Sequence, residues 1–271
     1  MDKYAVIRNP IGHSKSPKIH RLFGEQLGHN ISYEKLEATE GTFAMVMEEF
    51  FRSGGRGVNV TLPFKGLAYD FSDVLGAQAK SCGAVNTLSF SEDGRVYGES
   101  TDGLGLIRDL NNNNIKIEGR SVLLIGAGGT TKSILPSIID MEPKNITLTN
   151  RTEKKAEALR DAFLHLFQID CAPGESIDRN YDLVINTTSS QLSNTVPSVS
   201  PIAIKGADSY DVNYSWQQTL FQAWSNENGS KPALQGWGML VEQAAESFSI
   251  WRGVCPETGA VVRRLQSEVE N

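Results

Sequence analysis

Val122-Leu123-Leu124-Ile125-Gly126-Ala127-Gly128-Gly129 is the stretch on which the fold turns. Its first four residues make an apolar run of strand length without polar alternation, as in a strand covered on both faces. The glycines follow at once, and Thr131 to Asp140 reads as a helix after them. A strand, a glycine turn and a helix in that order give the setting a dinucleotide fingerprint needs. Glycine lets the backbone approach a pyrophosphate, and the helix N-terminus offers it free N–H groups. Thr131 stands where the third glycine of G-x-G-x-x-G would be, so the pattern taken alone leaves a structural glycine turn open.

Outward from this loop the alternation continues. Ile146 to Thr149 is the next strand and ends at Asn150-Arg151-Thr152, with Lys154 and Lys155 close behind. An NAD site places Asp or Glu there, to accept hydrogen bonds from the ribose 2′-hydroxyl. A guanidinium matches a phosphate in charge and fork geometry, so NADP is favoured over NAD. The plainer alternative is an Arg151 that merely opens a surface helix. Lys154 to Phe167 reads as a helix with Leu159, Phe163 and Leu166 on one face, Leu183 to Ile185 and Ala207 to Val212 as strands, Met239 to Trp251 as a helix, and Glu257 to Val269 as a polar terminal helix. Apolar strands alternating with helices imply an α/β protein with a parallel sheet covered on both sides.

Toward the N-terminus, Tyr4 to Ile7 is a short strand and Ser16 opens a helix with Pro17 in its first turn. Ser32 to Leu36 is a strand; Thr42 caps a helix through Phe51, stopped by Ser53-Gly54-Gly55. Val58 to Leu62 is a third strand, ended by Pro63. Ala84 to Phe90 and Arg95 to Tyr97 form a hairpin around Glu92-Asp93-Gly94, and Asp102 to Leu110 a helix that exits through Asn111 to Asn114.

At 271 residues the chain is of the size at which one core tends to split into two domains. A formal charge of −6 without a basic tract argues against nucleic acid and anionic membranes as partners and leaves a small molecule, any anion being held by a local site. Three scattered cysteines, Cys82, Cys171 and Cys255, suggest neither a disulfide framework nor a metal site. The N-terminus lacks a signal-peptide core, and no apolar stretch approaches the roughly 20 residues that span a bilayer. A cytoplasmic protein is expected.

The first hundred residues carry Asn9-Pro10-Ile11-Gly12-His13-Ser14-Lys15-Ser16-Pro17, Asn59-Val60-Thr61-Leu62-Pro63-Phe64-Lys65, Gly83-Ala84-Val85-Asn86-Thr87 and Thr101-Asp102-Gly103. Beyond the glycine loop come Asn186-Thr187-Thr188-Ser189-Ser190, Asp211 to Tyr214, and Gly236-Trp237-Gly238-Met239-Leu240 leading to Gln243-Ala244-Ala245. In this order the blocks resemble the shikimate dehydrogenase family over essentially the whole chain. The Lys65 block is the most specific of them.

The resemblance implies a two-domain fold with a cleft between an N-terminal α/β substrate domain, residues 1–102 with 239–271, and a Rossmann-like NADP-binding domain, residues 103–238. It implies reversible NADPH-dependent reduction of 3-dehydroshikimate to shikimate, within aromatic amino-acid and chorismate biosynthesis, and it leaves a homodimer open. For NADP(H) it points to Gly126, Ala127, Gly128, Gly129, Thr130, Asn150, Arg151, Thr152, Lys154, Thr187, Val212, Gly236 and Met239. It also brings Tyr214 to the substrate carboxylate.

Residue chemistry supplies the rest. Ser14 and Ser16, in a loop before a helix, can hold a carboxylate through hydroxyls and free N–H groups. Asn59, Thr61, Asn86, Asp102 and Gln243 offer the mixed donors and acceptors that ring hydroxyls need, and such a site rejects analogues that leave its polar groups unpaired. Lys65 and Asp102 are the catalytic pair. An ammonium can stabilise the charge that hydride transfer builds on a ketone oxygen and donate a proton to it, while the carboxylate holds the lysine in place. The plainer alternatives are a helix cap for Ser16, turn positions for Asn59 and Asn86, a solvated Gln243, and for the pair a surface lysine after Pro63 and an aspartate that caps a helix. His13 reads as structural, and His20 as a packed helix residue near the cleft.

Arg21, Ser100, Thr130, Gln235 and Trp237 depart from the family's commoner pattern. The last two lie near the expected nicotinamide end and bear on cofactor affinity. Three rival readings remain: a quinate/shikimate dehydrogenase using NAD, which Arg151 opposes; a non-catalytic NADP-binding regulator, expected to lack Lys65 or Asp102; and a bare Rossmann interaction module, which leaves the first hundred residues unexplained.

Overall fold

The structure is a computed structural model and describes residues 1–9, 12, 14–188 and 195–267. Pro10, Ile11, His13, Ser189, Ser190 and Val269, named above, lie outside the described residues. The chain divides into two compact units, one of Met1–Gly105 with Leu240–Arg264, the other of Leu106–Met239 with the residues from Leu265 onward.

The first unit runs β1 (Asp2–Arg8), α1 (Ser16–Leu27), β2 (Ile31–Glu37), α2 (Phe43–Arg52), β3 (Gly55–Val60), α3 (Lys65–Phe71), β4 (Val74–Leu75), α4 (Ala77–Cys82), β5 (Thr87–Phe90) and β6 (Val96–Glu99). Its sheet has the order β2-β1-β3-β5-β6-β4. β1 pairs in parallel with β2 and β3, whereas β5 is antiparallel to both β3 and β6. One face of β1 and β3, bearing Ala5, Ile7, Val58 and Val60, packs on Phe43, Met47, Phe50 and Phe51 of α2.

β3 differs from the expected Val58–Leu62: it starts at Gly55, stops at Val60 and leaves Leu62 56% exposed. Gly55 reads as part of a helix stop, and Gly57 falls outside the expected strand. A Cβ on Gly55 would sit 2.2 Å from a Phe50 ring carbon, and one on Gly57 2.3 Å from the Trp251 indole nitrogen. Both positions lie under aromatic rings within a strand, and Gly54, at φ +92°, makes the turn instead. The hairpin holds, but Ala84 to Asn86 precede its first strand. α3, β4 and α4 are too short to show a period.

The second unit contains β7 (Ser121–Ile125), α6 (Gly129–Ile139), β8 (Asn145–Thr149), α7 (Glu153–Phe163), β9 (Ile169–Cys171), β10 (Leu183–Asn186), β11 (Asp208–Asp211), α8 (Leu220–Glu227) and β12 (Leu234–Gln235). All its strand pairs are parallel, in the order β12-β11-β10-β7-β8-β9. This is the doubly wound Rossmann arrangement, with its switch point between β7 and β10, where ligands bind beyond the strands' carboxyl ends. The unbroken apolar run of β7 follows from burial on both faces. Val122 and Leu124 pack with Ile134, Leu135 and Ile138, and Leu123 and Ile125 with Tyr181, Ala203 and Phe221.

α7 ends at Phe163 rather than Phe167, leaving Leu166 43% exposed. The units divide inside α5 (Asp102–Asn112), α9 (Trp237–Arg252) and α10 (Gly259–Ser267). α10 starts at Gly259 rather than the expected Glu257, and it buries Val261 and Leu265. Within the second unit, buried Asp109 accepts hydrogen bonds from the Tyr210 hydroxyl at 2.6 Å and the Met239 amide at 3.0 Å. Among the described residues no helix is long and apolar enough to cross a membrane, and no group of three or more His, Cys, Asp or Glu could hold a metal ion.

Candidate active site

Lys65 opens α3 and Asp102 opens α5. Thirty-seven residues apart in sequence, they meet as an ion pair through Nζ and Oδ2, with side chains only 17% and 12% exposed. Asn86, just before β5, donates from Nδ2 to the other Asp102 oxygen at 2.9 Å and to the Thr101 hydroxyl at 3.0 Å. Its Oδ1 accepts the Thr101 amide at 2.9 Å. A backbone N–H can only donate and a carboxylate only accept, so these contacts fix which end of the Asn86 amide faces Asp102. The Gln243 Oε1 lies 3.5 Å from the Asn86 Nδ2, and its Nε2 donates to the Leu240 carbonyl at 2.7 Å. Lys65, Asp102, Asn86 and Gln243 are thus brought together.

Asn59 lies at the end of β3 and is buried. It accepts the Tyr33 hydroxyl at 2.7 Å and donates to the Ser247 hydroxyl at 2.9 Å. Its amide serves the interior, not an open surface. Thr61, two residues on, is half-buried and ties back to β1 through its amide and the Ile7 carbonyl, 3.3 Å apart. Ser14 and Ser16 are half-buried at the start of α1, and the Ser16 amide donates to the Ser14 hydroxyl at 3.4 Å. Pro17 occupies the first turn and Lys15 holds the cap position, so Ser16 belongs to the helix rather than capping it.

His20, one turn further, is fully buried, stacked on Tyr33 at 4.5 Å and flanked by Phe23, Phe248 and Trp251. Among the described residues neither ring nitrogen has a hydrogen-bond partner, and burial pushes its pKa down from 6.5 to about 3. The folded state therefore holds His20 neutral while the unfolded chain protonates it below about pH 6.5. Its contribution to stability is present above that pH and declines as pH falls toward about 3. Denaturant titrations across this range should show His20→Phe flattening part of the acid-side decline; an unchanged slope would contradict the assignment.

In the second unit the glycine loop follows β7. Gly126, at φ +114°, passes so close to Thr187 that a Cβ would sit 2.4 Å from its hydroxyl oxygen. Thr131, in the third-glycine position, is fully buried and donates to the Gly126 carbonyl at 2.8 Å, its oxygen lying 2.7 Å from that of Thr187. Thr187 also donates to the Ile125 carbonyl at 2.9 Å, so both hydroxyls are spent on fixing the loop. The Asn150 Oδ1 accepts the Ala127 amide at 3.2 Å, and its Nδ2 donates to the Thr152 carbonyl at 2.8 Å, bracing the loop against the end of β8.

Gly128 and Gly129 are exposed, with Thr130 half-buried, at the start of α6. A Cβ on Gly128 would meet nothing within 4 Å, so open space lies over the helix N-terminus. Arg151, Thr152 and Lys154 are exposed at the β8–α7 turn, next in the chain to the Asn150 that braces the glycine loop. Open backbone at a helix start followed by cations fits a 2′-phosphorylated dinucleotide.

Other expected cofactor residues are more enclosed. Gly236 lies against the Val212 carbonyl, which a Cβ would approach to 2.3 Å, and Met239 is 8% exposed with its side chain in the core. The Gln235 side chain accepts the Ser215 amide at 2.6 Å and donates to the Gln217 carbonyl at 2.9 Å. Trp237 packs on Tyr214 at 4.7 Å and Trp216 at 5.6 Å. These departures from the commoner pattern act together to hold the 214–217 loop. Sequence reasoning assigned no role to Tyr33, Thr87, Thr101 or Ser247. Each is a hydroxyl with at least one partner remote in the chain, and although Thr87 and Thr101 stand within the quoted blocks, nothing local marks Tyr33 or Ser247.

A family model for the shikimate dehydrogenase substrate binding domain matches residues 6–88, one for shikimate / quinate 5-dehydrogenase residues 109–197, and one for the shikimate 5'-dehydrogenase C-terminal domain residues 236–266. The shikimate dehydrogenase (NADP(+)) of Halorhodospira halophila is 44% identical over 269 residues, 98% of either chain. That of Vibrio cholerae is 41% identical over 271 residues, covering 100% of this chain and 98% of its own. Among solved structures, an Ael1 enzyme from Pseudomonas putida matches with a TM-score of 0.93 at 36% identity over 100% of both chains. The shikimate 5-dehydrogenase of Thermus thermophilus in complex with NADP(H) and shikimate matches with a TM-score of 0.85 at 30% identity, covering 97% of this chain and 99% of its own. By sequence over its whole length, and by a fold to match, this chain belongs to the shikimate dehydrogenase family.

Proposed function

We propose that this protein catalyses the reversible NADPH-dependent reduction of 3-dehydroshikimate to shikimate, the first unit binding the hydroxy-acid and the second the cofactor. The observation that carries the reading is the Lys65–Asp102 pair, held by Asn86 in a partly buried polar cluster. A bare binding module or a regulator has no use for an ammonium kept so nearly out of water by a carboxylate. Family membership supplies the substrate class.

Bound NADPH supplies the hydride that goes to the C3 ketone carbon. Lys65, as an ammonium, stabilises the charge gathering on the ketone oxygen and passes a proton to it; in the reverse direction its neutral amine takes that proton back. Asp102 holds the Lys65 Nζ in position through the ion pair. Ser14 and Ser16 hold the substrate carboxylate at the start of α1, joined by Tyr214, with Thr61 and Gln243 meeting the ring hydroxyls. The half-buried state of both serines and of Thr61 supports these roles.

Gly126 to Thr130 seat the pyrophosphate, and Arg151, Thr152 and Lys154 take the 2′-phosphate. The unpaired thiols of Cys82, Cys171 and Cys255 fit a reducing compartment and support a cytoplasmic location. The test is product identification: purified protein given 3-dehydroshikimate and NADPH forms shikimate, resolved by NMR, in step with NADPH consumed. Absence of that product would defeat the reading.

A further inference from the structure

Behind the ion pair lies a chain of buried hydrogen bonds in the first unit that the proposed chemistry does not use. The Tyr33 hydroxyl donates to the Asn59 Oδ1 at 2.7 Å, and the Asn59 Nδ2 donates to the Ser247 hydroxyl at 2.9 Å. The Ser247 and Thr87 oxygens are 2.7 Å apart, and Thr87 donates to the Asn86 Oδ1 at 2.9 Å. From there the Asn86 Nδ2 reaches Asp102, and Asp102 reaches Lys65. Thr87 is 1% exposed and Ser247 0%.

Counting protons gives the chain one direction. The Ser247 and Thr87 oxygens share one hydrogen across 2.7 Å; since Thr87 spends its own on Asn86, that hydrogen comes from Ser247, whose oxygen accepts from Asn59. The Thr87 hydrogen goes to Asn86. That leaves the Asn86 carbonyl oxygen saturated by Thr87 and the Thr101 amide, and its NH₂ turned onto Asp102. A methyl in place of the Thr87 hydroxyl would remove one of the two donors that hold this amide plane and would leave the Ser247 hydroxyl facing an apolar group. Asn86 would then be free to rotate or flip, and Asp102 would lose the donor that sets its carboxylate against Lys65.

We propose that Thr87 and Ser247 are positioning residues for the acid–base pair, acting through Asn86 on the orientation of the Asp102 carboxylate against Lys65. This rests on the proposed role of Lys65. An Asp102 turned away leaves the Lys65 Nζ off its line to the reacting oxygen, a loss that falls on the chemical step and spares cofactor binding.

The experiment compares wild type, Thr87→Val, Ser247→Ala, Thr87→Ser and Lys65→Ala by steady-state kinetics of shikimate oxidation, with melting temperatures measured alongside. Thr87→Val and Ser247→Ala should each lower kcat by about tenfold while KM for NADP stays near wild type. Thr87→Ser, which keeps the hydroxyl, should restore kcat. Folded variants with a lower melting temperature but a kcat within about twofold of wild type overturn the proposal, since a purely structural role predicts just that. Should Thr87→Val fail to fold, Ser247→Ala, which adds no bulk, decides alone. Lys65→Ala separates the two failures: if it keeps the wild-type kcat, the acid–base assignment itself falls, whereas if it loses kcat and the other variants keep theirs, only the positioning role falls.

Discussion

Lys65→Ala lowers kcat in both directions by roughly 10²–10⁴-fold and changes KM for the hydroxy-acid much less. The size follows from what the side chain would supply. Without the ammonium, charge developing on the ketone oxygen meets water or nothing, and the proton must come from solvent. KM is largely spared because carboxylate and ring hydroxyl contacts are made by other residues. Lys65→Arg should not rescue the loss: a guanidinium keeps the ion pair with Asp102 but does not release a proton at working pH. Steady-state kinetics of the two variants, with melting curves to show that they fold, check this. A kcat within a factor of about two of wild type for Lys65→Ala would remove it from the chemistry.

The second large effect concerns the cofactor. Arg151→Asp combined with Lys154→Ala should raise KM for NADP by about 10–100-fold while leaving KM for NAD and for shikimate close to wild type. Both cations are exposed at the β8–α7 turn, next to the Asn150 that braces the glycine loop. Their removal therefore subtracts phosphate contacts without disturbing the loop, whereas Asn150 itself would be a poor test because its loss frees the Ala127 amide. An aspartate at 151 also offers an acceptor to the 2′-hydroxyl of NAD, which should narrow the preference further. Equal losses for the two cofactors would place the 2′-phosphate elsewhere.

The second sheet was legible because its strands are buried on both faces. An unbroken Val122–Ile125 or Leu183–Ile185 has few structures open to it. The first unit was less so. Gly55 read as part of a helix stop and Gly57 fell outside the expected strand, because the rings that exclude a side chain there, Phe50 and Trp251, are set by tertiary packing. α8 was missed although Thr219 and Gln222 spell out a capping box, and the structure shows both of its hydrogen bonds. In the candidate site, residue types pointed to the chemistry, but convergence did not show: the Thr87–Ser247 contact joins residues 160 apart. A comparable separation from Ser247 hid the inward turn of the Asn59 amide, whereas Thr131, which serves the loop from beneath by bonding the nearby Gly126 carbonyl, was hidden by occupying a glycine position.

The measurement that bears most directly on the whole account is kcat/KM for the purified protein across two cofactors and two acids. NADP with shikimate should give the highest value of the four, well above NAD with shikimate, with quinate poor on either cofactor. A protein that turned over quinate with NAD best, or none of the four pairs, would contradict it.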